Sequence, residues 1–360
     1  MAKKKYELTD EVLKHAGRVL HRIKAVSSFC DVKEGDLGGW VESEDNLSQE
    51  DKCWLYGESK VYERARVSGD AVLFGEAEVY NLAQVHDQAR VFDNAKVYGC
   101  SEVYDNAKIC GFAEICDYAR ISGDAMISGH AKVYHWAQVW ENAHVYGDAS
   151  IYDEARVRGE AKIFGKAKIH EHAFIYGQAN VYGDAEALGS ALAFENADIC
   201  DNSLLDNNAK VYGNAKIHGE SRIYGSARIY GDADVCDSNV YGYACVTDHA
   251  VIIKSTIRFS ITVSGHAHIT EAVVQRDSDY MVFRNTWSSG RWFTWTRSNN
   301  MWNVGCFYGT GKDLTKKAYR DNTLKGQCYE SVVKLVDKID YLQKPNKTWY
   351  ERLMYFIRKL

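Results

Sequence analysis

Seven histidines fall within one repetitive stretch of the chain: His86, His130, His135, His144, His170, His172 and His218. Imidazole is the side chain best suited to move a proton near neutral pH. His135 is the strongest of the seven as a general base, because Trp136 beside it offers an aromatic platform to a substrate. The seven occupy different positions of the repeat, and an exposed histidine in a turn is ordinarily solvated. A second grouping lies late in the chain, where Arg284, Arg291 and Arg297 alternate with Phe283, Trp287, Trp292, Phe293 and Trp295. Cations that hold phosphates beside rings that stack bases are what single-strand nucleic-acid binding uses. The same set suits an acidic protein surface, or forms the aromatic core and basic rim of a small module. A third is GCFYGTGKD, Gly305–Asp313, which sets Lys312 at a helix start. Its spacing is not that of a phosphate loop, GxxxxGK followed by Ser or Thr, and Asp313 would repel a phosphate. Thr310 as N-cap with Asp313 returning the bond is the expected role, and Lys312 is left to hold an anion loosely.

These residues sit in a chain of 360 residues, 46% hydrophobic, with a net charge of −5. The charge is uneven. Residues 281–360 carry 15 Lys and Arg against 6 Asp and Glu, and the remainder carries 29 against 43. An acidic body joined to a basic end implies two jobs for two parts. Ten cysteines show no CxxC pairs and no zinc-like spacing, so reduced thiols in a cytoplasmic setting are expected, and no metal. The start, MAKKKYELTD, lacks the apolar stretch of a secretory signal, and no run of about 18 apolar residues predicts a membrane span.

The element that must position the histidines is a six-residue repeat. With Cys53 as position one, the frame runs without insertion or deletion to Ser238, through 31 repeats. Position one is Ala in 26 of the 31 and otherwise Cys or Ser; position three is Val, Ile or Leu in 29. Six residues rotate an α-helix far off any single face, whereas a short strand followed by a turn keeps the frame. Position three then points inward, positions two and four point out, and the small residue fits an inner corner. Gly, Asp and Glu at position five suit the turn. Three units close a triangular coil of 18 residues, so the frame predicts about ten coils, a rod on the order of 50 Å long at about 4.8 Å per coil. The ladder Lys60, Glu78, Lys96, Glu114, Lys132, Ser150, Lys168, Glu186 alternates in sign at that spacing, and Tyr62, Tyr80, Tyr98, Cys116, Tyr134 and Tyr152 stack beside it. Treated as exposed, each charge pair contributes about 0–1 kcal/mol, so Glu78→Lys is expected to cost about 1 kcal/mol or less. The frame slips near 239–244 and 256–261, and residues 239–275 are expected to be irregular final coils.

This pattern resembles that of the hexapeptide-repeat proteins, and the resemblance implies a mainly β fold, a left-handed parallel β-helix. The opening segment is similar to that of YdcK-like proteins, a β-helical group classed with the acyltransferases, and to openings of uncharacterised phage and gut-bacterial proteins. The residues that carry this are Asp31-Val32-Lys33, Gly38-Gly39-Trp40-Val41, Asn46-Leu47-Ser48-Gln49 and Cys53-Trp54. They are expected to form a cap, with glycines for tight backbone and Trp40 over the first coil. The resemblance further implies acyl transfer from acetyl-CoA, with a histidine as base and the acyl carrier between neighbours of a homotrimer. Members of that superfamily usually set the histidine near a loop that interrupts the coils, and no loop interrupts this frame.

The expected organisation is an N-terminal β cap (1–52) with a hairpin turning near His15–Gly17, a β-helix (53–275), a basic aromatic α+β module (279–343) and an amphipathic tail helix (346–360). On the tail, Trp349, Leu353, Phe356 and Ile357 form an apolar side that suits a partner groove or a membrane surface. The leading expectation is a non-enzymatic scaffold whose C-terminal module, through Arg284, Trp287, Arg291, Trp292, Trp295, Arg297 and Lys312, recognises an acidic protein surface or nucleic acid. The alternatives are an acyl-CoA-dependent acyltransferase and a phage-associated structural or host-interaction protein.

Overall fold

A computed structural model describes residues 4–343, and the chain divides into two compact units, residues 1–219 and 220–360. In the first unit each repeat sets positions two and three in a two-residue strand, as in Lys60–Val61, Glu78–Val79 and Lys96–Val97. Position three is fully buried at Val61, Val79 and Val133, and so is the position-one alanine at Ala77, Ala95 and Ala131. Strands 18 residues apart pair in parallel, Lys60 with Glu78 and Arg90 with Lys108, which builds three sheets. The backbone N–H groups of positions two, four and six donate one coil onward: Lys60 to Ala77, Tyr62 to Val79 and Arg64 to Asn81, at 2.9, 3.1 and 2.9 Å. A stack that uses this many donors has no place for proline, and Pro345 is the only one in the sequence.

Position five of each turn is left-handed, with φ of +70° at Gly99 and +56° at Asp117, His135 and Asp153. Glycine fits because the coils nearly touch there: a Cβ on Gly99 would lie 2.6 Å from the Asp117 nitrogen. Where an acidic residue stands instead, its carboxylate mostly accepts the N–H of position five one coil on. Asp93 takes Gly111, Asp105 takes Gly123 and Asp117 takes His135, at 3.0, 3.0 and 3.1 Å.

The coils number about thirteen over the two units, not ten. The opening segment contributes the additional strand Leu37–Val41, parallel to Lys60–Val61. Residues 239–275 add two regular coils, shorter by one residue. In these the third corner has five residues and the coils repeat every 17, so Asp234 pairs with Val251 and Val251 with His268. The irregularity read from the sequence is a change of period.

The N-terminal cap is built from the quoted motif. The hairpin Tyr6–His15 with Arg18–Ala25 pairs antiparallel onto Leu37–Val41, which continues one sheet, and it also packs on the first coils, with Leu13 and Leu20 beside Tyr62 and Tyr80. Gly38 and Gly39 are required by contact: a Cβ on Gly38 would lie 2.6 Å from Ile23, and one on Gly39 2.5 Å from the Ser59 carbonyl. Trp40 is buried with Leu20 and Tyr62, its indole N–H donating to Glu58 at 2.9 Å. Asn46 donates its amide to the Glu63 and Ala65 carbonyls, and Leu47 bridges to Val67, so the motif serves as the preceding turn.

In the second unit the coils are followed by a four-stranded antiparallel sheet: Tyr280–Arg284, Trp292–Thr296, Met301–Val304 and Phe307–Thr310. Helices α1 (Gly311–Asp321) and α2 (Thr323–Gln343) cover one face. Phe293, Trp295, Trp302, Leu314, Tyr329, Val332 and Val336 form that core. The other face meets the final coil. Asn303 donates to the His268 carbonyl at 2.8 Å, Asn299 to those of Thr270 and Glu271 at 2.9 and 3.0 Å, and Thr294 accepts the His268 N–H at 2.9 Å. These side chains complete an edge that would otherwise expose unpaired backbone.

Candidate functional site

His135 stands at position five of its turn, held in the column of stacked corners. Its N–H donates to Asp117, and its Nδ1 pairs with Asp153 Oδ1 at 2.9 Å, which leaves Nε2 as the nitrogen able to act as a base. The other Asp153 oxygen accepts the Glu171 N–H at 3.3 Å and lies 3.9 Å from His170. Trp136, at position six, stacks on Tyr118 one coil below, ring centroids 4.1 Å apart and 4° from parallel. Both rings are exposed, Trp136 at 58% and Tyr118 at 48%. With Asp117, Asp153 and Glu154 they line an open groove of about 370 Å³. Beside it, burial raises the Tyr134 phenol, with the Asp153 carboxylate adding to the effect, and Tyr152 is pushed up to about 12 for the same first reason. Neither phenol supplies a base near neutral pH. His135 and Trp136 are adjacent in sequence, but Tyr118, Asp153 and Glu154 join them only through the 18-residue column, a spacing not applied to this pair in the sequence reading.

The C-terminal candidates separate into two groups. Trp295 is buried in the module core, its indole N–H bonded to Asn300. Arg297 pairs with Asp340 at 2.7 Å and Asp279 at 3.6 Å and donates to Gln343 at 2.8 Å, tying the sheet to α2. These two support the fold and are not available to a partner. Arg284, Trp287, Arg291, Trp292 and Lys312 stay at the surface, with Trp287 at 59% and Trp292 at 36% exposure. Trp292 ends a ring stack with His266 and His249, at centroid steps of 4.6 and 4.7 Å, and with Arg291 it lines a depression against the final coil. Burial lowers the pKa of His268, which lines the same depression, against the opposing pull of Asp234. The histidine part of this site was absent from the sequence reading. Thr310 caps α1 as expected, accepting the Asp313 N–H at 3.2 Å and donating to its carboxylate at 2.6 Å. Trp349, Leu353, Phe356 and Ile357 lie outside the described residues.

No known family profile matches the chain. A segment of 53 residues, 14% of the chain, is 40% identical to the uncharacterized acetyltransferase YdcK of Escherichia coli K12 and spans 16% of that protein. Together with the parallel coils, this is consistent with a β-helical hexapeptide-repeat protein. Among the described residues no helix is long and apolar enough to cross a membrane.

Proposed function

We propose that the chain is a binding scaffold whose C-terminal module presents a basic aromatic rim to an acidic protein surface. The observation that supports this most directly is the division of the late aromatic and basic residues. Once Trp295 and Arg297 are spent on the fold, Arg284, Trp287, Arg291, Trp292 and Lys312 remain exposed. A nucleic-acid track is the weaker reading, because stacking successive bases needs several open ring faces. Here Phe293, Trp295 and Trp302 are buried and Trp292 already stacks on His266, so among the described tryptophans of the module Trp287 is the one left open. Exposed tryptophan and arginine flanking one another are the usual anchors of a protein interface.

The test is titration of the intact protein with a glutamate-rich peptide and with oligothymidine, each at two salt concentrations. Binding of the peptide that drops about fivefold or more in Arg291→Ala with Trp287→Ala supports the reading, at one interface anchor's usual 1 kcal/mol or more. Equal or tighter binding of oligothymidine would replace the acidic protein with nucleic acid.

A second reading, acyl transfer, is favoured by the Asp153–His135 pair and by the acetyltransferase name of the similar Escherichia coli protein. The groove itself opposes it, since Asp117, Asp153 and Glu154 would repel the phosphates of acetyl-CoA, which would then have to rest on a neighbouring subunit. Calorimetric binding of acetyl-CoA to the intact protein, with product formation lost in His135→Ala, would establish this reading over the first.

A further inference from the structure

The groove at Trp136 has a counterpart in the same unit that shows what such a place holds. On a neighbouring column Trp140 is followed one coil later by Arg158, whose guanidinium lies 6.0 Å from the Trp140 ring centroid and 5.3 and 5.6 Å from those of Phe174 and Tyr176. That guanidinium pairs with Glu141 at 3.5 Å. The chain thus sets its own planar cation over a tryptophan face with a carboxylate alongside, the arrangement in which ring quadrupole and charge act together.

At Trp136 an open tryptophan face and carboxylates are present without the arginine, and without the rings of Phe174 and Tyr176. The ring stacks below on Tyr118, and the residue one coil above is Glu154, which carries no ring to continue the stack. Asp117, Asp153 and Glu154 surround it. Their partners are histidine rings, backbone N–H groups and one thiol: His135 N–H and the Cys116 thiol on Asp117, His135, His170 and the Glu171 N–H on Asp153, His172 at 3.3 Å on Glu154. We propose that this groove binds the guanidinium of an arginine side chain from a peptide partner, stacked on Trp136 and paired with Glu154 and Asp153. A guanidinium fits better than an ammonium because it lies flat on an indole and forks toward two carboxylates at once. This site belongs to the coils and does not depend on the C-terminal module.

The experiment uses the full chain labelled with nitrogen-15. The indole N–H resonance lost in Trp136→Phe identifies the reporter. N-acetylargininamide is titrated against its neutral citrulline counterpart, the lysine analogue and maltotriose. The expected result is a saturable shift with the arginine compound, weakened about fivefold with citrulline and in Glu154→Gln, the scale of an exposed cation–π contact or surface ion pair. The Trp287→Ala variant should bind as the parent does, which separates this site from the module. An equal response to citrulline, a response to maltotriose with none to arginine, or no response to any ligand would overturn the proposal.

Discussion

At the residue scale, Glu78 shows what a periodic ladder conceals. Its repeat position predicts an exposed carboxylate alternating with lysines, yet its side chain is only 15% exposed. The reason is the hairpin, which is laid over the first coils and brings His15 to within 3.2 Å of Glu78, while Tyr62 donates to the same carboxylate at 3.1 Å and Lys60 lies 3.9 Å away. Glu78→Lys therefore places an ammonium beside that of Lys60 and strips the Tyr62 hydroxyl of its acceptor. The expected cost is about 2–3 kcal/mol, the scale of a lost hydrogen bond to a charged group, and not the 1 kcal/mol of a surface pair. Urea unfolding of the variant decides this; a loss under about 0.5 kcal/mol would mean the hairpin does not cover Glu78 in solution. Trp295 and Arg297 were hidden for a related reason. Period-two alternation in Trp292–Thr296 separates Phe293 and Trp295 from Thr294, but both faces of that strand are covered, one by α1 and α2 and the other by the final coil. Alternation alone does not say which ring stays outside.

At the element scale, the coil itself was legible because one rule, a small residue then an inward aliphatic one, repeats at every corner. The seventeen-residue coils were legible only as a disturbance, since a corner one residue short leaves the inward pattern intact. The structure shows the compensation they need. In many six-residue corners the position-one N–H bonds back within its own turn, as Ala65 does to Tyr62 at 3.4 Å. In the five-residue corners that N–H donates instead to a serine hydroxyl one coil earlier: Ser238 to Ser221, Ser255 to Ser238 and Ala272 to Ser255, at 3.2, 3.0 and 3.1 Å. Serine at Ser238 and Ser255 is thus an acceptor for buried backbone. Ser101, also buried, only donates to the Tyr98 and Ile115 carbonyls, and alanine holds the same position in most repeats. Ser238→Ala and Ser255→Ala should each cost about 1–3 kcal/mol, the penalty of an orphaned buried donor, while Ser101→Ala stays within about 1 kcal/mol. Denaturant midpoints of the three variants test the contrast. Equal losses in all three would show that the short corners find another acceptor.

At the scale of the whole molecule, two effects of acid oppose each other. The sequence carries a net charge of −5 with a pI near 6.2, so acidification from pH 7 toward 6 relieves self-repulsion and favours the folded chain. Against this stand histidines whose folded environment disfavours the proton. Burial lowers the pKa of His144, helped by the nearby Lys162 charge, and burial lowers that of His268 in the second unit. A histidine with a depressed folded pKa binds fewer protons folded than unfolded. Its stabilisation is therefore complete above the unfolded value of about 6.5 and falls as the pH drops below it. Glu58 acts in the same direction at lower pH: hydrogen bonds from Arg22 and Trp40 hold its pKa down, so its share is lost on acidification below about 4.3. The net charge is small for 360 residues and screened beyond about 8 Å at physiological salt, so the local groups should win. The urea midpoint is expected to be flat from pH 8 to 7 and to fall from 7 to 5, with His144→Gln flattening the fall in the first unit and His268→Gln in the second. A midpoint that rises toward pH 6.2 in the parent would show that overall charge, and not these two half-buried rings, governs how the protein responds to acid.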